Sequence, residues 1–424
     1  MFSQKTFSNG LRLITSASEG TQSLTLLILV GAGSRYESEK ERGIAHFLEH
    51  MFFKGAEKFK NAQEVAQAID GVGGDFNAFT GKEYAGYYVK VAAEKKEIAF
   101  EVLSDMLLHS RFDPEEIEKE RGVILEELNM YEDMPTYKIG WDFEELLFDG
   151  HPMAWDQIGT KEVIKSVTQE DFKRYKRDLY TPENTVIIAS GNIFPAQAEA
   201  LTAQYFCFPE EKKSRTVSPF SWNIPKNPLF IREKKTEQAH LVIGFPSIAH
   251  DDPRKYAESI LAILLGGNMS SRMFLNIREA RGLCYSISTS TDRYSDCGIF
   301  STRAGVDITR TEEAVSAIIA EYEKLRIEAP LADEIERAKN YLKGKITLRM
   351  EDSEEVASFL GTQSLLLNEV ETIDEYFAKI DAVTSEEIFA LSQEIFAPEK
   401  RAMAMIGPFS DQEAIFKKLL QGNL

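Results

Sequence analysis

Two stretches of this chain, 216 residues apart, carry one pattern without a gap. Val167-Thr168-x-Glu170-Asp171 opens VTQEDFKRYKRDLYTPENTVIIASG, and Val383-Thr384-x-Glu386-Glu387 opens VTSEEIFALSQEIFAPEKRAMAMIG. Each runs 24 positions from its Val to a glycine, Gly191 or Gly407. Both begin with a capping box, Thr168 with Asp171 and Thr384 with Glu387, which satisfies the free N–H groups at a helix start. Both then turn at an aromatic-x-Pro step, Tyr180 to Pro182 and Phe396 to Pro398, into an apolar strand. Upstream, FDPEEIEKER from Phe112 aligns with LADEIERAK from Leu331 at nearly the same offset. A repeat of half the chain means that whatever unit one half builds, the other builds again.

Each half alternates strands with amphipathic helices. Leu24 to Val30 (LTLLILV) suits a buried strand and is too short to cross a bilayer. GGDFNAFTGKEYAGYYVKVA, from Gly73, has the aromatic and β-branched content of strands. Ile98, Val102, Leu103, Met106 and Leu107 mark one face of a helix. A chain of 424 residues exceeds one ordinary core. The pattern therefore predicts two homologous α+β domains, each a mostly antiparallel sheet with helices packed on one face. Pro209, Pro219, Pro225 and Pro228 lie among charged residues and read as a linker over 209–229. The domains are expected at 1–208 and 230–424.

The formal charge of −19 and the lack of a basic patch speak against nucleic-acid binding. Acidity serves solubility, or lines a cavity that attracts cationic peptides. The N-terminus reads directly as strand, Asn9-Gly10 turn and strand, with no targeting pattern. The three cysteines, Cys207, Cys284 and Cys297, form no C-x-x-C pair. Reduced thiols, a cytoplasmic location and no membrane association are expected.

The stretch GIAHFLEHMFFKG, from Gly43, holds His46, Glu49 and His50 as H-x-x-E-H. On a helix these three crowd one face. Two imidazoles four residues apart can chelate one zinc, and the carboxylate between them can reach a metal-bound water. It is the inverzincin arrangement, H-E-x-x-H in reversed order. With six histidines, a chance occurrence is expected in roughly one such chain per hundred.

A catalytic zinc needs a third protein ligand. DPEEIEKERGVILEEL, from Asp113, is a strong helix with Asp113 as N-cap and Pro114 in its first turn. Ile117, Ile124 and Leu128 form its apolar stripe. Glu116, Glu120 and Glu127 fall within about 40° of one another on an adjacent stripe, and Glu126 points about 100° away from Glu127. Such an edge is ordinarily a solvated acidic face.

Together these motifs resemble the pitrilysin and insulinase-type inverzincin metallopeptidases, especially the half-length branch that includes mitochondrial processing peptidase. In that family the third ligand is the last Glu of E-R-x-V-I-x-x-E, here Glu120 to Glu127, with Glu127 lying 77 residues after His50. The resemblance implies that His46, His50 and Glu127 hold zinc, that Glu49 is the general base, and that Glu120 steadies the site from behind. The family's G-G-x-x-N-A-x-T-x-x-E stretch stands at Gly73 to Glu83. There it implies an edge strand whose residues Gly74, Phe76, Asn77 and Ala78 pair with an extended substrate. The family's Arg and Tyr seven residues apart, which grip the substrate carbonyl, match Arg278 and Tyr285.

The repeat offset places Ala338 opposite Glu120 and Lys345 opposite Glu127, and Glu258 to Ala262 opposite the zinc helix. One zinc per chain follows, in the first half. Full-length relatives close four such domains around a chamber. Two domains per chain therefore imply a homodimer, or a heterodimer with a degenerate paralogue, cleaving short or unfolded peptides. A noncatalytic structural or peptide-binding subunit of the same fold is the alternative.

Overall fold

A computed structural model describes residues 2–209, 212–223, 225 and 227–422. In the first half, β1 (Ser3–Thr6), β2 (Arg12–Ala17) and β3 (Ser23–Val30) lead to helices α1 (Ile44–Phe52) and α2 (Ala62–Asp70). The hairpin β4 (Asp75–Thr80) and β5 (Ala85–Ala92) precedes α3 (Lys96–His109), α4 (Pro114–Asp133) and α5 (Pro135–Leu147). Helices α6 (Lys161–Ser166) and α7 (Gln169–Leu179), strand β6 (Thr185–Gly191) and α8 (Pro195–Tyr205) complete it.

The second half repeats the plan. Strands β7 (Leu229–Glu233) and β8 (Ala239–Ser247) precede α9 (Lys255–Gly266), then β9 (Cys284–Arg293) and β10 (Gly298–Val306). Helices α10 (Thr311–Ile327), α11 (Ala332–Arg349), α12 (Ser353–Leu367), α13 (Ile373–Ala382) and α14 (Ser385–Ile395) follow, with β11 (Ala402–Gly407) and α15 (Glu413–Leu420) at the end.

Sheet order among the described residues is β1-β2-β6-β3-β5-β4 in the first half and β7-β11-β8-β10-β9 in the second. Both are antiparallel except for one parallel pair each, β2 with β6 and β7 with β11. The expected α+β class and the duplicated topology hold, with β1 as an addition to the first sheet. Both capping boxes form, Thr168 with Asp171 and Thr384 with Glu387.

The contiguous domain division does not describe the compact units. One unit comprises 1–129, 155–218 and 347–372; the other comprises 130–154, 219–346 and 373–424. The reason is an exchange of helices. Ala357 and Leu360 of α12 pack on Ile14, Leu27, Leu29, Val186 and Ile188, the face of the first sheet left bare by its own helices. A side chain at Gly361 would put Cβ 2.6 Å from Ile188 and 2.8 Å from Leu29, so glycine permits that approach. In the second unit, Ile139, Phe143 and Leu147 of α5 pack on Val242, Ile299, Ala402, Ala404 and Ile406. Each sheet thus has helices on one face, as expected, and one further helix on the other.

The linker expected at 209–229 is irregular where described up to Pro228, Leu229 already belongs to β7, and part of it is anchored. Arg215 pairs with Glu41 (2.8 Å) and Asp178 (3.0 Å) within the first unit. Among the described residues no helix is long and apolar enough to cross a membrane.

Candidate metal centre

The site grows from α1, whose sequence IAHFLEHMF buries Ile44, Ala45, Phe47, Leu48, Met51 and Phe52. Phe47 packs edge-on against Phe172 at 5.0 Å, and Phe52 against Tyr87 at 5.3 Å. With the apolar positions committed to the core, His46, Glu49 and His50 occupy the remaining face, each partly buried.

The start of α1 is fixed closely. Gly43 sits at φ 93°, and a Cβ there would lie 2.4 Å from the Ile158 carbonyl, so the turn requires glycine. The buried Glu37 carboxylate accepts from the N–H groups of Gly43 and Ala45, each at 2.8 Å. Burial lifts Glu37 well above the usual carboxyl range, and the two backbone hydrogen bonds pull in the opposite direction.

Helix α4 supplies the facing wall. Ile117, Ile124 and Leu128 are buried, and Glu120 is buried beside them. Glu127 turns toward α1: its Oε2 lies 3.7 Å from His46 Nε2 and 3.7 Å from His50 Nε2. One donor atom from each of the three falls within 4.8 Å of the others. Burial, aided by the neighbouring His50 ring, lowers His46 to about 3, which leaves its imidazole neutral at physiological pH and able to ligate. Two imidazoles and a carboxylate with this spacing fit a zinc ion. Glu126 is exposed and takes no part.

Behind the donors, His50 Nδ1 is 2.8 Å from Glu120 Oε1, and Lys54 Nζ is 2.6 Å from Glu120 Oε2. Burial disfavours charge on Glu120, but the hydrogen bonds from His50 and Lys54 prevail and its pKa is lowered. Glu49 behaves in the opposite sense: burial raises it, Glu127 adds to the rise, and bonds from Thr80 and the charge of His50 oppose it. Thr80 Oγ1 donates to Glu49 Oε2 at 2.5 Å.

The strand β4 lies at the edge of its sheet, paired only with β5 among the described strands. Gly74 precedes it; Phe76, Ala78 and Thr80 are the more buried face and Asn77 the exposed one. Phe76 packs on Phe53, which follows α1, at 5.6 Å. Asn77 Oδ1 accepts from the Ala78 N–H at 2.9 Å.

Arg278 and Tyr285 belong to the second unit. Arg278 sits in a π-helical turn, Phe274–Glu279, with its guanidinium 4.5 Å from the Phe274 ring centroid and Nε donating to the Tyr285 carbonyl at 3.0 Å. Tyr285 is the second residue of β9, with 78% of its surface exposed. Glu258, matched by the repeat to the zinc helix, is fully buried and bonded to Ser247 and Arg293. Sequence reasoning gave no role to Thr80, Lys54 or Glu37. Thr80 lies within the G-G-x-x-N-A-x-T-x-x-E stretch, and Lys54 lies one helical turn past His50.

Residues 12–143 match the family described as insulinase (peptidase family M16), and residues 166–342 match the peptidase M16 inactive domain. An uncharacterized zinc protease of Bacillus subtilis, YmxG, is 34% identical over 408 residues, spanning 96% of this chain and 98% of the relative. Among solved structures, a protease from Helicobacter pylori has a TM-score of 0.88 at 21% identity, covering 96% of this chain and 99% of that one. A chain from Complex III2 of Candida albicans has a TM-score of 0.83 at 18% identity, with 99% of each chain covered. At such identities these two structures speak for the fold alone.

Proposed function

The chain belongs to the insulinase family of peptidases, family M16, and on that premise we propose that it is a zinc-dependent endopeptidase acting on short or unfolded peptides. One observation carries the reading: donor atoms of His46, His50 and Glu127 converge within 4.8 Å, on the helix face that also bears Glu49. In this reading those three residues hold one zinc ion per chain. A zinc ion held there would supply Lewis-acid chemistry, acidifying a water and polarising the scissile carbonyl. Glu49 takes the water's proton and delivers it to the leaving amine. Glu120 fixes the His50 ring through Nδ1. The open edge of β4, from Gly74 through Phe76, Asn77 and Ala78, pairs with the backbone of an extended peptide. Arg278 and Tyr285 hold the substrate carbonyl and stabilise its developing charge.

The proposal includes a homodimer that closes a chamber around the peptide, in a cytoplasmic setting, with a heterodimer containing a degenerate paralogue as the variant. The test is hydrolysis of a quenched fluorogenic peptide library by the zinc-loaded protein, with and without chelator, alongside Glu49→Gln. Chelator should abolish cleavage, and Glu49→Gln should retain zinc yet cleave slower by about 10²–10⁴-fold. A noncatalytic structural role, on the fold shared with the Complex III2 chain, is the alternative. Zinc-loaded protein that cleaves nothing in the library would select it.

A further inference from the structure

We propose that Thr80 positions Glu49 for proton transfer, so that the strand presenting the peptide and the base acting on it form one hydrogen-bonded unit. The inference rests on the peptidase reading above but concerns a residue to which that reading gives no task.

Thr80 is the last residue of β4, its backbone fixed opposite Ala85 of β5. Burial alternates along β4, which puts Phe76, Ala78 and Thr80 on one face. The Phe76–Phe53 ring contact shows that this face looks toward α1. From there the Thr80 hydroxyl reaches Glu49 Oε2 at 2.5 Å. An ionised carboxylate can only accept, so the hydroxyl is the donor. Among the described residues no other hydrogen bond reaches the Glu49 carboxylate; besides burial, it feels only the charges of His50 and Glu127. A glutamate on a helix has several rotamers open to it. The Thr80 bond selects one of them and occupies one oxygen, leaving Oε1 for the water. The fold does not need the hydroxyl, because the turn after β4 closes through the Gly81 N–H and the Tyr84 carbonyl at 2.9 Å. A β-branched residue already suits the strand.

The chemistry sets the size of the effect. A misplacement of about 1 Å at a reacting group costs up to about 10²-fold in rate. Thr80→Val keeps shape and strand propensity and deletes only the donor. Its kcat should fall about 10–100-fold, with KM and zinc content within about threefold of the parent. Thr80→Ser restores the donor and should recover kcat to within about threefold, a rescue that a packing role would not produce.

The experiment uses the full-length protein loaded with zinc. It measures kcat and KM on a fluorogenic peptide, zinc content, melting temperature, and crystal structures of parent, Thr80→Val and Thr80→Ser. In the crystals, the Glu49 carboxylate should keep its place in Thr80→Ser and leave it, or split over rotamers, in Thr80→Val. An unchanged kcat in Thr80→Val overturns the proposal. So does a loss confined to KM or zinc content, or a Thr80→Ser variant as impaired as Thr80→Val. If the zinc-loaded parent cleaves no peptide, the peptidase reading fails separately. The crystals then decide this point: a Glu49 carboxylate unmoved in Thr80→Val overturns the positioning role.

Discussion

Glu120→Gln isolates what the carboxylate behind the metal donors contributes. Glu120 Oε1 is 2.8 Å from His50 Nδ1, Oε2 is 2.6 Å from Lys54 Nζ, and the side chain is only 7% exposed. The change keeps size and shape but removes the negative charge, and one of the two acceptor oxygens becomes an NH2 that meets a donor. Hydrogen bonds to charged partners are about twice as strong as neutral ones, so His50 loses both orientation and basicity. Loss of such a partner typically costs about 10–100-fold in metal affinity, or about 1.4–2.7 kcal/mol. Lys54 is 24% exposed and can turn its ammonium to water, so little further cost is expected. The assay is competition for zinc with a chromogenic chelator at fixed pH. Glu116→Gln is the control, because Glu116 shares the stripe but pairs with Lys119 at 2.5 Å in a more exposed setting. A Glu120→Gln affinity within about threefold of the parent would refute the argument, as would an equal loss in Glu116→Gln.

Glu127→Gln should lose most of the zinc and Glu126→Gln should keep it; elemental analysis showing the reverse would place the ligand in the wrong helical register. Glu41 is held at about 2: burial opposes this, but Arg215, Arg174 and Ser38 bond its carboxylate. A depressed folded pKa stabilises above the unfolded value of about 4.5, so Glu41→Gln should cost on the order of 2–3 kcal/mol at pH 7. In paired denaturation curves that gap should shrink as pH falls from about 4.5 toward 2; a constant gap would exclude the linkage. Gly361→Val, which forces a side chain against Ile188 and Leu29, should destabilise by about 1–3 kcal/mol in urea unfolding; no change would deny the close packing of α12. For the proposed dimer, mixing Glu49→Gln with Tyr285→Phe should restore activity if each zinc site is completed by Arg278 and Tyr285 of a second copy. No recovery after verified subunit exchange rules out a shared site.

Much of this architecture was legible because the chain states it twice. The capping boxes at Thr168 and Thr384 and the strands ending at Gly191 and Gly407 are local patterns, and local patterns survive folding. The zinc helix was legible for the same reason, since spacing alone puts His46, Glu49 and His50 on one face. Choosing Glu127 over Glu126 needed helical geometry together with the family resemblance. The exchange of α5 and α12 was not legible. An apolar helix face such as Ile139, Phe143 and Leu147 declares that it will be buried, and says nothing of which sheet will bury it. The contacts of Lys54 with Glu120 and of Thr80 with Glu49 span 66 and 31 residues, and only the closed fold brings such pairs together.

The second half serves as a control for the first, because the same strand order is built there without the metal donors. Opposite Glu120 stands Ala338, buried in an apolar cluster, and α9 buries Ile260, Leu261, Leu264 and Leu265. The buried carboxylate of α9, Glu258, pairs with Arg293, and burial still raises its pKa. A sheet with such helices coheres on apolar packing. Against that baseline the first half carries groups that cost stability. His46 Nδ1 is buried without a hydrogen-bond partner, and Glu49 is a carboxyl that burial drives toward its neutral form. By the repeat, α9 carries no imidazole opposite His46 and His50. Local rules broken at no structural gain mark the place where a chain is built for chemistry. His46 and Glu49 share one face of α1, beside the point where donor atoms of His46, His50 and Glu127 converge.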